Sequence, residues 1–441
     1  MEFSIYTLGC KSNQYESQAM AKLLNQRGHK EVPLSEASQA VIINTCSVTA
    51  LSDKKSRQTI RSLKKKNPKT LLAVCGCYAQ LEPEEIAKLE VNLIGGTGDH
   101  LSFIQELETL FAQYNPEVRH LPFNDPRLRL GIEQLPSGGL EGRTRALLKI
   151  QDGCENYCSY CIIPYARGKI RSLSPVDSAL AIHDLIGQGF SEIVLTGIEI
   201  ASWGKDLPAQ ESLLDFLAMA NDIATGYAET EGKEIYFRLG SLEPRTITQE
   251  FCSQVSKMPS VRPHFHLSLQ SGSDTVLKRM NRKYNTERFF RSLTFLRTAF
   301  DKPALTTDVI VGFPQESPEE FQETLKFLEK CAFSALHVFP YSPRDGTPAA
   351  KMEGQITKEV KSQRSAEGIA LGKKMQQAYE KQFIGTSLPV LFESQNLQES
   401  LWTGLSPQHI QVTVTSQEAL QNKTCLVHIT AQEDNRLKGQ L

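Results

Sequence analysis

No stretch of this 441-residue sequence approaches the ~18 consecutive apolar residues that a membrane-spanning helix needs. The opening segment, MEFSIYTLGC, carries no basic region, so no secretory leader is expected. Nothing ahead of Cys10 is long enough to be the apolar core of a lipoprotein signal. Net charge is lacking too: 49 Lys and Arg stand against 50 Asp and Glu, a formal charge of −1. That balance excludes a wholly basic nucleic-acid coat and leaves room for a local basic patch. There is no sequence repeat and no low-complexity tract. What remains is ordinary globular composition, 40% hydrophobic and 22% charged. At roughly 100–200 residues per domain the length suits two to four domains. The expected compartment is the cytoplasm, with no membrane.

Residues 1–113 alternate short apolar runs with amphipathic segments. FSIYTL, AVIIN, TLLAVCG and NLIGG read as buried parallel strands, and SQAMAKLLNQRG and PEEIAKLE as helices on the sheet faces. The expectation is an α/β domain with right-handed crossovers. Residues 114–142 gather Pro, Gly and Asn and read as a linker. From 143 to 375 a second series offers strands at 145–151, 192–197, 234–240, 263–269, 304–312 and 334–341, separated by helical patterns. Six strand–helix units predict a partial (β/α)6 barrel, since about eight make a full one. Residues 376–441 turn to short alternating strands and predict a small all-β barrel, OB-like.

Ten cysteines in a cytosolic chain point to metal binding or chemistry rather than disulfides. DGCENYCSYCIIPYARG places Cys154, Cys158 and Cys161 in a CxxxCxxC spacing just after the first barrel strand. Three soft thiolates on a short loop suit an iron–sulfur cluster with one iron left open. The alternative is a structural zinc with a distant fourth ligand, although such sites usually come as two paired halves. The loop also lies at the carboxyl end of a barrel strand, where such barrels keep their active sites. Cys10, Cys46 and Cys77 each follow a different N-terminal strand, and in an open parallel sheet such loops converge on one crevice. A second cluster is the expectation there; three buried thiols acting as small hydrophobes is the alternative. Cys75, two residues before Cys77, points the same way if both lie on a strand, so the third ligand stays open between them. Cys252, Cys331 and Cys425 have no partners in sequence and read as core or incidental residues.

CxxxCxxC after the first strand of a partial barrel resembles the radical S-adenosylmethionine (SAM) enzymes. TLGCKSNQYES, INTCSV and GCYAQ resemble the methylthiotransferases among them, and LQSGSDTVLKRMNRKY, DVIVGFP and FPYSPRDGTPA carry the likeness through nearly the whole chain. WTG…HIQV near Trp402 is similar to the small RNA-binding TRAM barrel. TLGCKSNQYES and IIPYARG look closest to the enzymes that methylthiolate N6-threonylcarbamoyladenosine beside the tRNA anticodon, at position 37.

The resemblance implies two [4Fe-4S] clusters and SAM. The cluster on Cys154, Cys158 and Cys161 would chelate SAM at its open iron and cleave it to a 5′-deoxyadenosyl radical. The cluster on Cys10, Cys46 and Cys77 would hold the sulfur to be inserted, methylated by a second SAM. An electron donor is required, and the two domains must face each other so that radical and sulfur reach one carbon. It further implies that Tyr160 contacts the adenine of SAM, and that Thr196-Gly197 and Gln270-Ser271-Gly272 are SAM-contacting loops, with Gly272 permitting close backbone approach. Val311-Gly312-Phe313 resembles a strand edge packed on adenine. Arg167, Arg171 and Arg344 stand in family-like motifs where they would meet phosphate or serve in ion pairs. Two departures are Leu173 in place of a usual Arg, and GFPQES in place of GFPGET.

RNA binding has its own sequence signals. Between Lys54 and Lys69 stand eight basic residues on a helical pattern beside Cys46, a solvated face or a phosphate contact. KRMNRKYNTER follows the Gln270 loop. A tRNA anticodon loop is a suitable target because its bases splay out without opening a duplex. The C-terminal module from Thr386 has three Lys/Arg against five Asp/Glu, so RNA contacts there would fall to Trp402 and His409. Competing readings keep the chemistry but change the substrate, to isopentenyladenosine or a ribosomal-protein residue. A different class is an iron–sulfur RNA-binding or electron-transfer protein.

Overall fold

The computed structural model describes residues 1–34, 38–113, 119–121, 125–129, 131–137, 144–396, 400–433 and 436–441. In the N-terminal part the strands Glu2–Thr7, Ala40–Thr45 and Leu71–Gly76 form the middle of a six-stranded sheet. Every pairing in that sheet is parallel. Successive residues of a strand face opposite sides, so a sheet covered on both faces needs an unbroken apolar run. Val41, Ile42 and Ile43 supply one: Ile42 packs with Phe3, Met20 and Phe103, whereas Val41 and Ile43 pack with Ile60, Leu72 and Val74. Two strands of two residues complete the edges. One is Lys30–Glu31, and the other is Arg119–His120, inside the expected linker. The stretch 114–142 is therefore partly sheet where it is described. Its residues 114–118, 122–124, 130 and 138–142 lie outside the description.

The central part contains all six anticipated strands. Arg145–Lys149, Glu192–Thr196 and Tyr236–Leu239 form one parallel sheet, and Ser241–Leu242, His264–Leu267, Ala304–Val311 and Ala335–Pro340 a second. The chain passes from one sheet to the other across Gly240, and Phe237 bridges to Val261. Among the described residues the first and last strands do not pair with each other, so the barrel is open on one side. Outer helices begin on serine, threonine or asparagine caps; Ser212 with Asp215 and Ser317 with Glu320 form reciprocal capping boxes. Apolar side chains between helices and strands, such as Leu195, Phe237, Leu305, Val309 and Phe333, make the large core.

The helix Lys358–Lys381 runs straight through position 376, where alternating strands were expected to begin. It packs on the last barrel strand, where Gly368 and Gly372 leave room for Val338 and Leu336. The C-terminal strands then close into a five-stranded barrel around Val390, Phe392, Trp402, Val412 and Val427.

Candidate functional site

The loop carrying Cys154, Cys158 and Cys161 is built by backbone constraints. Gly153 has φ +74°, and a Cβ there would lie 1.8 Å from the Lys169 carbonyl oxygen, so only glycine fits. The Cys154 amide donates to Gly168 O at 3.0 Å and the Cys161 amide to Cys158 O at 3.0 Å. The three cysteines line a cavity of about 210 Å³ together with Asn156, Tyr160, Glu199, Glu243, Ser268, Gln270 and Arg282. Burial pushes the Cys154 thiol up to about 11 and the Cys161 thiol up to about 12. Arg282 Nη1 stands 3.1 Å from Cys158 Sγ, a cation placed to support thiolate charge. Burial likewise raises Glu199, and its Oε1 is a buried acceptor with no hydrogen-bond partner, as a cavity awaiting a polar ligand would present.

Cys10, Cys46 and Cys77 come together at the carboxyl end of the N-terminal sheet. Cys10 caps the helix Lys11–Gln26, Cys46 follows the strand Ala40–Thr45, and Cys77 opens the short helix Cys77–Leu81. A Cβ on Gly9 would fall 2.6 Å from Cys46 Sγ, so the Cys10 loop lies directly on Cys46. Burial raises the Cys77 thiol to about 12, and the nearby Cys10 and Cys46 thiols act in the same direction. The shared orientation expected of Cys75 and Cys77 does not occur. Gly76, at φ +93°, turns the chain, Cys75 stays in the apolar core beside Phe3 and Ile42, and Cys77 joins the other two.

Spacing bears on which metal group suits these thiols. A tetrahedral zinc with Zn–S near 2.3 Å holds its sulfurs within about 3.8 Å of one another. Among the described residues, the trio whose ligand atoms all lie within 4.8 Å is His266, Asp308 and His337, and neither cysteine trio is so compact. That spacing does not match a tetrahedral zinc held by either trio as it stands.

An ion-pair network joins the two cysteine groups. Glu16, six residues beyond Cys10, is fully buried and receives Lys149 Nζ at 2.7 Å and Arg167 Nη1 at 2.7 Å. Arg167 also donates to Asn13 Oδ1 at 2.8 Å and to Asp152 Oδ1 at 3.1 Å, and Arg171 pairs with Asp152 at 3.3 Å. Burial pushes the Glu16 and Asp152 carboxyls up, but the surrounding cations outweigh it and hold both well below their ordinary range. A second clamp binds Arg344 to Asp53 and to Ser47 Oγ at 2.6 Å, beside Cys46.

These contacts decide between the two readings of the arginines. Arg167, Arg171 and Arg344 are buried in ion pairs. Leu173 is buried too, beneath Trp203, whose Nε1 donates to its carbonyl, so an arginine there would enter the core. Of the expected SAM-contacting residues, Tyr160 and Gln270 line the cysteine cavity. Thr196, Gly197, Ser271, Gly272, Val311, Gly312 and Phe313 do not line it. Thr196 closes its strand, and Gly197 is pressed against the Gln151 carbonyl. Ser271 is buried against Thr324 Oγ1. Gly272 permits close approach, but to Thr324 and Phe327 of the helix Pro318–Cys331. Val311 and Phe313 are core side chains, Phe313 edge-on to Tyr341, and Gly312 donates to Glu316. Residues that the motif reading missed include Asn156, Glu199, Ser268 and Arg282. For Glu199 and Ser268 the signal was present as polar side chains just past strand ends, in TGIEI and LSLQ, whereas Asn156 lies within the cysteine loop and Arg282 just past the helix Asp274–Arg279.

The basic helix Ala50–Lys66 keeps Lys54, Lys55, Arg61, Lys65 and Lys66 exposed. Trp402 instead lies in the C-terminal barrel core and offers no outer RNA surface, whereas His409 is exposed while it stacks on His264 at 4.7 Å. Cys252 and Cys331 are buried in the central core. Cys425 packs against the core of the C-terminal barrel.

Comparison with known proteins agrees with this architecture. Residues 2–96 match the uncharacterized protein family UPF0004, and residues 148–328 the radical SAM superfamily. The chain is 37% identical over 431 residues to the threonylcarbamoyladenosine tRNA methylthiotransferase MtaB of Bacillus subtilis, covering 97% of this chain and 93% of that one. It is 35% identical to the protein of that name from Thermotoga maritima, over 88% and 86%. A tRNA-2-methylthio-N(6)-dimethylallyladenosine synthase from Moorella thermoacetica is 31% identical over 100% and 98%. Among solved structures, the radical SAM methyltransferase TsrM from Kitasatospora setae superposes with a TM-score of 0.58 at 12% identity, over 79% of this chain and 74% of that chain, a likeness of fold. With both cysteine-bearing domains present and relatives matched end to end, the chain belongs to the radical SAM tRNA methylthiotransferase family, whose members use SAM and [4Fe-4S] clusters.

Proposed function

We propose that this protein methylthiolates C2 of N6-threonylcarbamoyladenosine at position 37 of tRNA in the cytoplasm, using one SAM as methyl donor and one as radical source. The observation that carries the reading is the buried network of Glu16, Arg167, Lys149 and Asp152. It fixes the Cys10 loop against the turn that follows Cys161, so two thiol groups serve one reaction space. The identity to proteins named for this activity supports the substrate over isopentenyladenosine. In this reading Cys154, Cys158 and Cys161 hold one [4Fe-4S] cluster, and Cys10, Cys46 and Cys77 hold the other. Bound there, the first cluster with SAM supplies hydrogen abstraction from an unactivated carbon, and the second supplies sulfur.

The chain's own residues orient and enclose. Arg282 sets positive charge against Cys158, and Asn156 fixes Glu199 at 3.2 Å on the cavity wall. Tyr160 and Ile163 give the cavity apolar walls that limit water near the reacting carbon. The test is mass spectrometry of tRNA nucleosides from cells with and without the gene. Loss of the 2-methylthio nucleoside with accumulation of its threonylcarbamoyl precursor is expected. An unchanged profile in a strain that carries the modification rejects the reading.

A further inference from the structure

The inner wall of the open barrel carries a polar group that the two thiol sites leave unused. On adjacent parallel strands, Asp308 lies directly opposite His337, and Thr306 opposite His266. Asp308 Oδ1 is 3.1 Å from His337 Nδ1, and its Oδ2 is 3.3 Å from His266 Nε2. His266 Nδ1 is engaged by Thr306 Oγ1 at 2.9 Å. Both nitrogens of His266 are thereby occupied, whereas His337, with 60% of its side chain exposed, keeps Nε2 free. Lys11 of the N-terminal domain stands within electrostatic reach of His337 and has no ion pair among the described residues. Hydrogen bonding to Asp308 favours the protonated His337, the form in which Nε2 donates.

Strand geometry places this group. Residues i and i+2 face the same side of a strand about 7 Å apart. Ser268 and Gln270 line the cysteine cavity, so His266 faces the same interior one step further in. Still deeper, His264 stacks on His409 of the C-terminal barrel. The group therefore lies between the thiol cavity above and the His264–His409 floor below, with the Cys10 domain alongside through Lys11.

We propose that Lys11 and the His337 imidazole, oriented by Asp308, bind the free carboxylate of the threonylcarbamoyl substituent and so select the substrate. This rests on the substrate reading above. Acylation of threonine's amine leaves its carboxylate ionised, and an isopentenyl group carries no such charge. C2 and the N6-bearing carbon are separated by one ring nitrogen. A base whose C2 meets the thiol sites therefore sends its N6 chain a short way along the same interior. Lys11, with a His337 that Asp308 biases toward its protonated form, offers a carboxylate charge-assisted hydrogen bonds, and those are the strong ones. Asp308 and His266 act as positioning residues.

The test uses reconstituted full-length enzyme and a fluorescein-labelled anticodon stem-loop bearing threonylcarbamoyladenosine, beside the same loop with that carboxylate as its methyl ester. Binding is read by anisotropy without turnover. Wild type should bind the acid loop roughly tenfold tighter than the ester, as expected for losing charged hydrogen bonds. His337→Gln and Lys11→Met should each erase most of that ratio by weakening the acid loop alone, and Lys11→Arg should restore it. Equal binding of acid and ester by wild type, or variants that keep the full ratio, overturns the proposal. So does a zinc or ferrous ion retained by wild type and lost in His337→Gln and Asp308→Asn with the ratio intact, or a loss confined to SAM affinity. Mass analysis of the wild-type product on the acid loop tests the substrate reading separately. No methylthio product there fails that reading, whereas product with no acid preference fails only this inference.

Discussion

Glu16 shows how much one residue can hold. It is fully buried and accepts from two cations, one of which, Arg167, is itself fully buried. Replacing Glu16 by Gln leaves Lys149 and Arg167 with Asp152 as their remaining counter-charge, and stranding a buried charge costs about 3–5 kcal/mol. Glu16→Gln should lower the first denaturant transition by about that much. An unchanged midpoint would show that the network does not hold the domains together. Thiol positions give a second residue-scale prediction. Two four-iron clusters give about eight irons per chain after anaerobic reconstitution, and about four with Cys154, Cys158 and Cys161 all changed to Ala. A wild-type count near four would remove the cluster at Cys10, Cys46 and Cys77. The sequence exposed these thiols because each follows a strand, but it could not separate Cys75 from Cys77. That distinction comes from Gly76, whose left-handed backbone ends the strand between them. Nor could it show that Arg167 and Glu16, 151 residues apart, are partners, because an arginine in a motif reads alike whether it meets phosphate or carboxylate.

Elements were legible where their patterns were strong. The six longer barrel strands were visible as apolar or alternating runs, because strands covered by helices must be apolar on that face, whereas the two-residue strand Ser241–Leu242 was not. Lys30–Glu31 and Arg119–His120 were not, being two-residue polar edges held only by register. The helix Lys358–Lys381 was hidden by its glycines. These lower helix propensity, yet they permit the close contact with Val338 and Leu336 that stabilises it. The basic helix Ala50–Lys66 was clear, but its purpose was not. Three lysines in its last turn suit the helix dipole, and Thr49 caps its start, so part of the pattern serves the helix itself. Its outward face separates the two uses. Changing Lys54, Lys55, Arg61 and Lys65 to Gln should weaken tRNA binding and flatten the salt dependence by roughly 0.7–0.9 log unit per lost phosphate contact. An unchanged salt slope would make this a solvated face.

At the scale of the molecule, three modules meet around one interior, and acid should separate them in order. His264 and His409 form the floor where the C-terminal barrel docks, and Arg238 ties that loop by donating to Pro407 O at 3.0 Å. Desolvation lowers both imidazoles, His409 to about 3; His409, Arg238 and Lys11 push His264 the same way, and Arg238, Arg145 and Lys11 do so for His409. His266 also lowers His264, and Glu192 acts in the opposite sense on His409. Undocked, each returns toward an ordinary value near 6.5 and takes up a proton that the docked state refuses. The docking stability is therefore complete above about pH 6.5 and drains as pH falls below it. The Glu16 and Asp152 carboxyls follow the same sign at lower pH. Held below their ordinary 4.5 and 3.8, they stabilise fully above about pH 4.5 and lose that contribution beneath it. Hydrogen exchange across a pH series, corrected for intrinsic rates, should show protection lost first in the barrel strand Ser387–Asn396, between pH 6.5 and 5. The N-terminal domain should separate only below pH 4.5. His264→Phe keeps an aromatic ring under His409 and removes one of the two titrations, so it should flatten the first phase and leave the second in place. Simultaneous loss of both modules, or an early phase indifferent to His264→Phe, would mean that the imidazole pair does not govern docking. The interior would then be closed by contacts that do not titrate in this range, such as Arg238 on the Pro407 carbonyl and Thr144 on Asn422.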